Sequence, residues 1–180
     1  MPENDVTLRI FRGDAKGGQH VEYTVPRQPG MVVLDAIHAV QQLHSPDLAV
    51  RWNCKAGKCG SCSGEVNGKP KLMCMDRLDN YDDSAPITVS PLKTFPVIKD
   101  LVTDVSWNYK QKAKIPALRP ADPNNMQFQQ HEADRVQEFR KCIECYLCQD
   151  VCHVLRDHQK MDEFAGPRFL VRAAEVEMHP

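Results

Sequence analysis

The segment Cys54-Lys-Ala-Gly-Lys-Cys59-Gly-Ser-Cys62 decides how the first half of this chain folds, and a fourth cysteine, Cys74, follows after eleven residues. Glycines in and just after the segment permit the close backbone approach that a tight loop needs; these are Gly57, Gly60 and Gly64. Clustered thiols in a chain without a secretory signal bind metal more often than they form disulfides. The segment therefore predicts a loop that carries a metal centre.

The spacing of these four cysteines favours iron and sulfide over zinc. Four residues separate Cys54 from Cys59 and two separate Cys59 from Cys62, which is the spacing of plant-type ferredoxins. Such proteins hold a [2Fe–2S] cluster with four thiolates, whereas structural zinc sites usually pair two short C-x2-C knuckles. We predict a [2Fe–2S] cluster on Cys54, Cys59, Cys62 and Cys74, with structural zinc as the alternative.

A second cysteine group has the spacing of bacterial ferredoxins. The run Cys142-Ile-Glu-Cys145-Tyr-Leu-Cys148-Gln-Asp-Val-Cys152 reads C-x2-C-x2-C-x3-C, which is typical of a [4Fe–4S] cluster. In ferredoxins with two clusters, the fourth cysteine of such a run serves the other cluster. Zinc or a reactive thiol pair are the alternatives.

The composition is that of an ordinary globular protein. The 180 residues are 42% apolar and 26% charged, and 23 basic and 24 acidic residues leave a net charge of −1. This balance gives no reason to expect a nucleic-acid partner. No apolar run approaches the roughly 18 residues of a membrane span, and residues 1–5 lack the basic and apolar regions of a secretory signal.

Sequence patterns predict mainly strands in the first half. Residues 6–25 alternate as in a hairpin, residues 32–43 follow helical spacing, and Asn67-Gly68 is typical of a hairpin turn. Residues 87–89 predict a short strand. Apolar residues at helical spacing then predict an amphipathic helix; they are Ile98, Leu101, Val102, Val105 and Tyr109.

The second half has helical patterns. Val136, Phe139 and Ile143 predict a helix that runs into the second cysteine group, and Gly166-Pro167 opens another helix. We expect the apolar face of this last helix to comprise Phe169, Leu170, Ala173 and Ala174.

A proline-rich linker is predicted between the two cysteine groups. Pro116, Pro120 and Pro123 prevent a continuous helix and disfavour a central strand. We therefore expect an α+β chain with a first domain over residues 1–113, a linker over 114–124 and a helical domain over 125–180.

A plant-type motif followed by a bacterial-type run closely resembles the iron–sulfur subunit of succinate dehydrogenase and fumarate reductase. The likeness extends beyond the cysteines and covers the chain from about residue 6 to its end. The matching segments are Arg51-Trp-Asn-Cys54, Cys59-Gly-Ser-Cys62, Pro91-Leu-Lys-Thr-Phe-Pro-Val-Ile-Lys-Asp-Leu101, Cys142-Ile-Glu-Cys145 and Phe164-Ala-Gly-Pro167.

The resemblance implies a β-grasp plant-type ferredoxin domain followed by an all-helical bacterial-ferredoxin-like domain. In the family, this enzyme subunit relays single electrons between the FAD of a flavoprotein, where dicarboxylates react, and quinone at a membrane anchor that can carry haem b. The likeness gives Cys142, Cys145 and Cys148 to a [4Fe–4S] centre and Cys152 to a [3Fe–4S] centre. It places the subunit on the cytoplasmic face of a bacterial cell membrane, held peripherally by its anchor.

Two departures from the family pattern matter. No cysteine follows Cys152, although the family uses a later cysteine group to complete both centres. We therefore expect the native polypeptide to continue beyond Pro180; if it ends there, Cys152 is the fourth ligand of the [4Fe–4S] cluster. Where some ubiquinone-using members have paired tryptophans, this chain has residues 153–157 without tryptophan, which favours menaquinone.

Three other functions are compatible with the two cysteine motifs. The chain could be a soluble two-cluster ferredoxin, but free carriers are often strongly acidic and the net charge here is −1. It could also be a related module of a heterodisulfide-reducing or NADH-oxidising complex, which the segment from Pro91 to Leu101 disfavours. A zinc-dependent structural protein is the remaining class, which metal and sulfide analysis would distinguish.

Overall fold

The computed structural model describes residues 5–82, 84–119, 122, 124 and 127–179, which form an α+β protein with one mixed sheet. The strands are β1 (Asp5–Asp14), β2 (Gly17–Pro26), β3 (Ser63–Val66), β4 (Lys69–Leu72), β5 (Ile87–Ser90), β6 (Val97–Lys99) and β7 (Val102–Thr103). The helices are α1 (Val33–Leu43), α2 (Ser106–Ala113), α3 (Gln130–Arg140), α4 (Leu147–Asp150), α5 (His153–Arg156) and α6 (Pro167–Glu177).

The sheet is built around β1. Its order is β4-β3-β5-β1-β6-β7, and β2 pairs with β1 as the predicted hairpin. The pairing of β1 with β5 is parallel and the other pairings are antiparallel. Asn67 and Gly68 both have positive φ, 49° and 72°, as a tight two-residue hairpin turn requires. The predicted strand at residues 87–89 is also confirmed.

The main core lies between the sheet and α1. The buried face of α1 carries Val33, Leu34, Ile37 and Val40, all at most 1% exposed. These residues recur with the helical period of 3.6 and so lie on one face of α1, while buried side chains alternate along β1. The two faces pack together in one apolar core. The helix predicted near residues 32–43 is therefore confirmed.

The predicted helix from Ile98 to Tyr109 is wrong over its first half. The chain forms β6 and β7 there, and α2 begins only at Ser106. The cause is Asp100, which has a φ of 49° and a buried carboxylate. That carboxylate accepts hydrogen bonds from Arg12 Nε, Gly13 N and Ala49 N. These tertiary bonds hold a turn that interrupts the helical pattern.

The second half contains helices, as predicted, but two details of the prediction are wrong. Helix α3 ends at Arg140, so Ile143 lies beyond it. The chain must leave the helix here because Glu144 and Tyr146 adopt left-handed backbone conformations. Helix α6 begins at Pro167 as expected, yet Leu170 is 60% exposed and only Phe169 of the predicted apolar face is buried.

Helix α2 connects the sheet region to the helices that follow. Trp107 packs edge-to-face on Phe169 with ring centroids 6.3 Å apart. The buried Gln149 amide donates to Asn108 Oδ1 at 3.2 Å and to the Ala165 carbonyl at 3.0 Å. Its oxygen accepts from Arg168 N, so one side chain joins α2, α4 and the start of α6.

The structure describes residues 114–119, 122 and 124 of the predicted linker. Residues 116–119 have no helix or strand, and Pro120 and Pro123 lie outside the described residues. In the part of the chain that the structure covers, no helix combines the length and the apolar character needed to cross a membrane.

Gly166→Ala is expected to destabilise the protein by about 3 kcal/mol, because it adds a clash to a strained backbone. Gly166 has a φ of 90°, and a Cβ there would lie 2.1 Å from Gln149 Oε1 and 2.6 Å from Leu155 Cδ1. Gln149 cannot move aside without losing its buried hydrogen bonds. Urea unfolding monitored by circular dichroism measures the change.

Gly30→Ala is the matched control for Gly166→Ala. Gly30 also has positive φ, 80°, but a Cβ there meets nothing within 4 Å. We expect a loss of only about 1 kcal/mol from the backbone conformation. Equal losses in the two variants would show that the contact with Gln149 has no energetic weight.

Candidate iron–sulfur sites

The first cysteine loop turns its backbone N–H groups towards sulfur. Cys54 Sγ accepts from Ala56 N at 3.4 Å and from Lys58 N at 3.3 Å. The loop achieves this with positive φ at Lys55 and Gly57. Hydrogen bonds to sulfur stabilise negative charge on thiolates and on iron–sulfur clusters. The loop is therefore built to hold anionic sulfur.

Two more sulfur atoms of the first group, those of Cys59 and Cys62, also accept hydrogen bonds from backbone N–H groups. Ser61 N donates to Cys59 Sγ at 3.5 Å, and Cys74 N donates to Cys62 Sγ at 3.4 Å. The Cys59 thiol also interacts with Cys54, and the Cys62 thiol with Cys74 and Cys59. The fold thus brings the four predicted ligands together from one loop and from the end of β4.

The thiols of the first group differ in pKa and in exposure. Hydrogen bonds from Ser61 and from the backbone near Cys54 lower the pKa of Cys59 to about 6. Burial raises the pKa of Cys62 to about 12. Cys54 is exposed, while Cys62 and Cys74 are buried. The site therefore has one face at the surface and one face against the core.

Gly64 does not contribute to the loop in the expected way. It lies in β3 with an extended backbone, packed against Met73 and the Ser90 carbonyl. Of the three glycines, Gly57 and Gly60 have the positive φ that the loop uses, together with Lys55.

The second cysteine group surrounds a bent segment between α3 and α4. Cys142 and Cys145 precede α4, Cys148 lies within it, and Cys152 is the N-cap of α5. Cys148 is exposed at the surface, but the surrounding protein atoms still desolvate its thiol and raise its pKa, and the neighbouring Cys145 and Cys142 raise it further. These three thiols thus lie within electrostatic reach of one another.

The two cysteine loops touch. A Cβ at Gly60 would lie 2.7 Å from Cys145 Cα, so only glycine permits this approach. The Ser63 hydroxyl lies 2.8 Å from the Gly60 carbonyl and 2.9 Å from the Cys145 carbonyl, within donating distance of either. A cavity of about 110 Å³ lies beside the contact, lined by residues that include Arg51, Cys59 and Tyr146. The structure therefore brings the two predicted metal sites side by side.

A buried ion cluster ties the sheet to the second cysteine group. Arg156 Nη1 contacts the Glu65 carboxylate on β3 and lies 3.2 Å from Asp150 Oδ2. Asp150 is fully buried and also accepts from Thr94 N at 2.9 Å. Burial raises the pKa of Asp150, and the nearby Glu65 raises it further.

The donor set fits iron–sulfur clusters. The four thiols of the first group lie near one another, and three thiols of the second group lie near one another. In the first group, backbone N–H groups also point at sulfur atoms. Within the described ranges, no three His, Cys, Asp or Glu side chains converge tightly enough to hold a single metal ion.

The sequence predicts eight cysteine ligands, but it does not mark the residues that join the two cysteine groups. Ser63, Glu65, Gln149, Arg156 and Arg168 are separated from their partners by long stretches of chain. No local spacing marks such residues, because their roles arise from the packing of β3, α2 and α6 against the second loop.

A protein-family comparison defines the class of the first half. Residues 7–110 match the family described as "2Fe-2S iron-sulfur cluster binding domain". This range includes the first four cysteines. The chain therefore contains an iron–sulfur cluster binding domain.

Curated relatives extend the match into the second half. The fumarate reductase iron-sulfur subunit of Mycobacterium tuberculosis is 33% identical over 154 residues, which cover 81% of this chain and 60% of that protein. The Wolinella succinogenes fumarate reductase iron-sulfur subunit is 28% identical, with coverage of 97% and 76%. The chain thus spans between about three fifths and three quarters of the length of these relatives.

A solved structure gives the same result. A chain of the "Mycobacterium smegmatis Sdh1 complex in the apo form" is 55% identical and superposes with a TM-score of 0.95. The match covers 99% of this chain and 76% of that chain. The chain belongs to the family of iron–sulfur subunits of succinate dehydrogenase and fumarate reductase.

Proposed function

We propose that this chain is the electron-transfer subunit of a membrane-bound succinate:quinone oxidoreductase. It relays single electrons between the FAD of a flavoprotein subunit and quinone at a membrane anchor. The observation that carries the proposal is the contact between the two cysteine loops through Gly60 and Cys145. Two redox centres on touching loops suit a relay, because the protein's role is to position the cofactors and to set their electrostatics.

The eight cysteines are the proposed cluster ligands. Cys54, Cys59, Cys62 and Cys74 hold a [2Fe–2S] cluster, and Cys142, Cys145 and Cys148 hold a [4Fe–4S] cluster. Cys152 is assigned to a [3Fe–4S] centre, with the fourth [4Fe–4S] position as its alternative role. When bound, the clusters supply reversible one-electron chemistry. The chain itself supplies thiolates, N–H donors to sulfur and a partly buried setting.

The proposed domain layout follows the cysteines. Residues 1–113 form a β-grasp ferredoxin domain and residues 125–180 form a helical ferredoxin domain, joined by a linker at 114–124. The mixed sheet with α1 on one side supports the first assignment. The packing of α2 against Phe169 and Gln149 supports close docking of the two domains.

Exposed apolar side chains near the cysteines support a role within a complex. Trp52 is 48% exposed and Met75 is 58% exposed, beside Cys54 and Cys74. Val151, next to Cys152, is 61% exposed. Aromatic residues and methionine are enriched where proteins bind one another. We assign these surfaces to a flavoprotein and a membrane anchor, with menaquinone as the quinone and the cytoplasmic face of the membrane as the location.

The direct test combines metal analysis with cysteine replacement in the full chain, purified with its partners. We expect iron, acid-labile sulfide and separate electron paramagnetic resonance signals for [2Fe–2S] and [4Fe–4S] clusters. Cys62→Ser should remove the first signal and Cys148→Ser the second. Lys58→Ala keeps its backbone N–H and should retain both signals.

Two results would contradict the proposal, and a third would invalidate the cysteine assay. Zinc without sulfide would indicate a structural metal protein. A chain that keeps both clusters but never co-purifies with a flavoprotein would indicate a free carrier. Loss of both signals in Lys58→Ala would show that the cysteine assay reports only general instability.

A further inference from the structure

A small group of charges surrounds Glu144, between Cys142 and Cys145, and one of its members, Arg168, is buried. Glu144 Oε1 accepts from Lys112 Nζ at 2.7 Å and from Arg168 Nη2 at 2.8 Å. These side chains come from the cysteine loop, α2 and α6. Two cations thus meet one carboxylate, so the group as a whole carries an excess of positive charge.

Arg168 is the most buried member of this group. Its side chain is 5% exposed, whereas that of Lys112 is 43% exposed. Arg168 Nε and Nη1 are buried and make no hydrogen bond to any residue that the structure describes. Burying unpartnered guanidinium nitrogens is costly unless negative charge lies nearby. The position of Arg168 therefore calls for an anion beyond the one carboxylate that it contacts.

The cysteine loop holds Arg168 at both ends. The guanidinium reaches Glu144 at the start of the loop, while the backbone N–H of Arg168 donates to Gln149 Oε1 at 3.2 Å at its end. Gln149 directly follows Cys148. Arg168 cannot leave the loop without breaking buried hydrogen bonds at both places.

We propose that Arg168 is a positioning residue that raises the midpoint potential of the cluster on Cys142, Cys145 and Cys148. This inference rests on the proposed function, since it needs the cluster. The step is the addition of one electron to the oxidised cluster, from the neighbouring cluster or from a chemical reductant, with no bond formed or broken. The excess positive charge around Glu144 stabilises the added negative charge. This attraction is stronger where the surroundings exclude water, because the effective dielectric constant is lower there.

The sign of the effect can be tested with three matched variants of the chain in its purified complex. Arg168→Gln removes a cation and should lower the midpoint potential. Glu144→Gln removes the anion and should raise it. We expect each change to alter the ratio of reduced to oxidised cluster about tenfold at a fixed potential, which is ~59 mV for a one-electron couple. Arg172→Gln on the same helix removes a partly exposed pair with Glu175 and should change nothing.

Redox titration monitored by electron paramagnetic resonance is the measurement, with iron and sulfide content as a check on cluster retention. Arg168→Lys keeps the charge and should keep most of the potential. Unchanged potentials in Arg168→Gln and Glu144→Gln, with the cluster intact, would overturn the inference and leave the proposed function standing. If Arg168→Gln loses its cluster, Glu144→Gln decides alone, and a potential that does not rise refutes the inference. A wild-type complex without a [4Fe–4S] signal would overturn the proposed function and this inference together.

Discussion

Arg156→Met is expected to lower the melting temperature of the chain by on the order of 10 °C. Arg156 is the cation between Glu65 on β3 and Asp150 beside the second cysteine group. The Glu65 side chain is 8% exposed and that of Asp150 is fully buried. Without Arg156, two buried carboxylates face each other, and breaking a buried ion pair in this way costs about 3–5 kcal/mol.

The loss of stability in Arg156→Met should arise because the ion pairs are buried and because a carboxylate charge is left without a partner. Arg77→Met is the matched control, because Arg77 and its partner Asp79 are 59% and 47% exposed and such pairs contribute at most about 1 kcal/mol. Adding Asp150→Asn to Arg156→Met should recover part of the stability, since one uncompensated charge disappears. Thermal unfolding of the wild type, Arg156→Met, Asp150→Asn and the double variant gives the coupling energy between Arg156 and Asp150. Additive losses in the double variant would contradict the role that we assign to this ion pair.

Gly60→Ala is expected to destabilise the contact between the two cysteine loops by about 3 kcal/mol. Gly60 has a φ of 70°, and a Cβ would lie 2.7 Å from Cys145 Cα and 2.8 Å from Cys145 Cβ. Because these atoms belong to a backbone held by Ser63, the loops must move apart. Urea unfolding measures the loss. In the loaded protein, weaker magnetic coupling between the two reduced clusters would report the greater separation.

Gly57→Ala is the control that distinguishes the steric clash expected in Gly60→Ala from the cost of placing alanine at positive φ. Gly57 lies in the same loop with a φ of 64°, but its Cβ would meet only the Met75 side chain at 3.0 Å. Met75 is flexible and 58% exposed, so it can move aside. We expect a loss of about 1 kcal/mol and unchanged magnetic coupling. If Gly57→Ala disturbs the coupling as much as Gly60→Ala, the close approach of Gly60 to Cys145 is not what holds the two loops at their distance.

Local features of this fold follow from the sequence, whereas features that depend on distant contacts do not. The hairpin of β1 and β2, the turn at Asn67 and Gly68 and the helix α1 were all correct, because each arises from neighbouring residues with a clear period or turn type. The helix expected from Ile98 was wrong, because hydrogen bonds from Arg12, Gly13 and Ala49 to Asp100 override its helical spacing.

The sequence by itself determined the cysteine groups, the first hairpin, the helix α1 and the resemblance to an iron–sulfur subunit. Ligand spacing is a local property, since three thiols that must reach one small cluster have to lie close together along the chain. Only the tertiary structure decided how the two sites face each other. The contact of Gly60 with Cys145, the ion cluster of Arg156 and the burial of Arg168 beside Glu144 join residues that are far apart in sequence. Such contacts form only when the sheet and the later helices pack together, and packing of this kind leaves no periodic mark in the sequence.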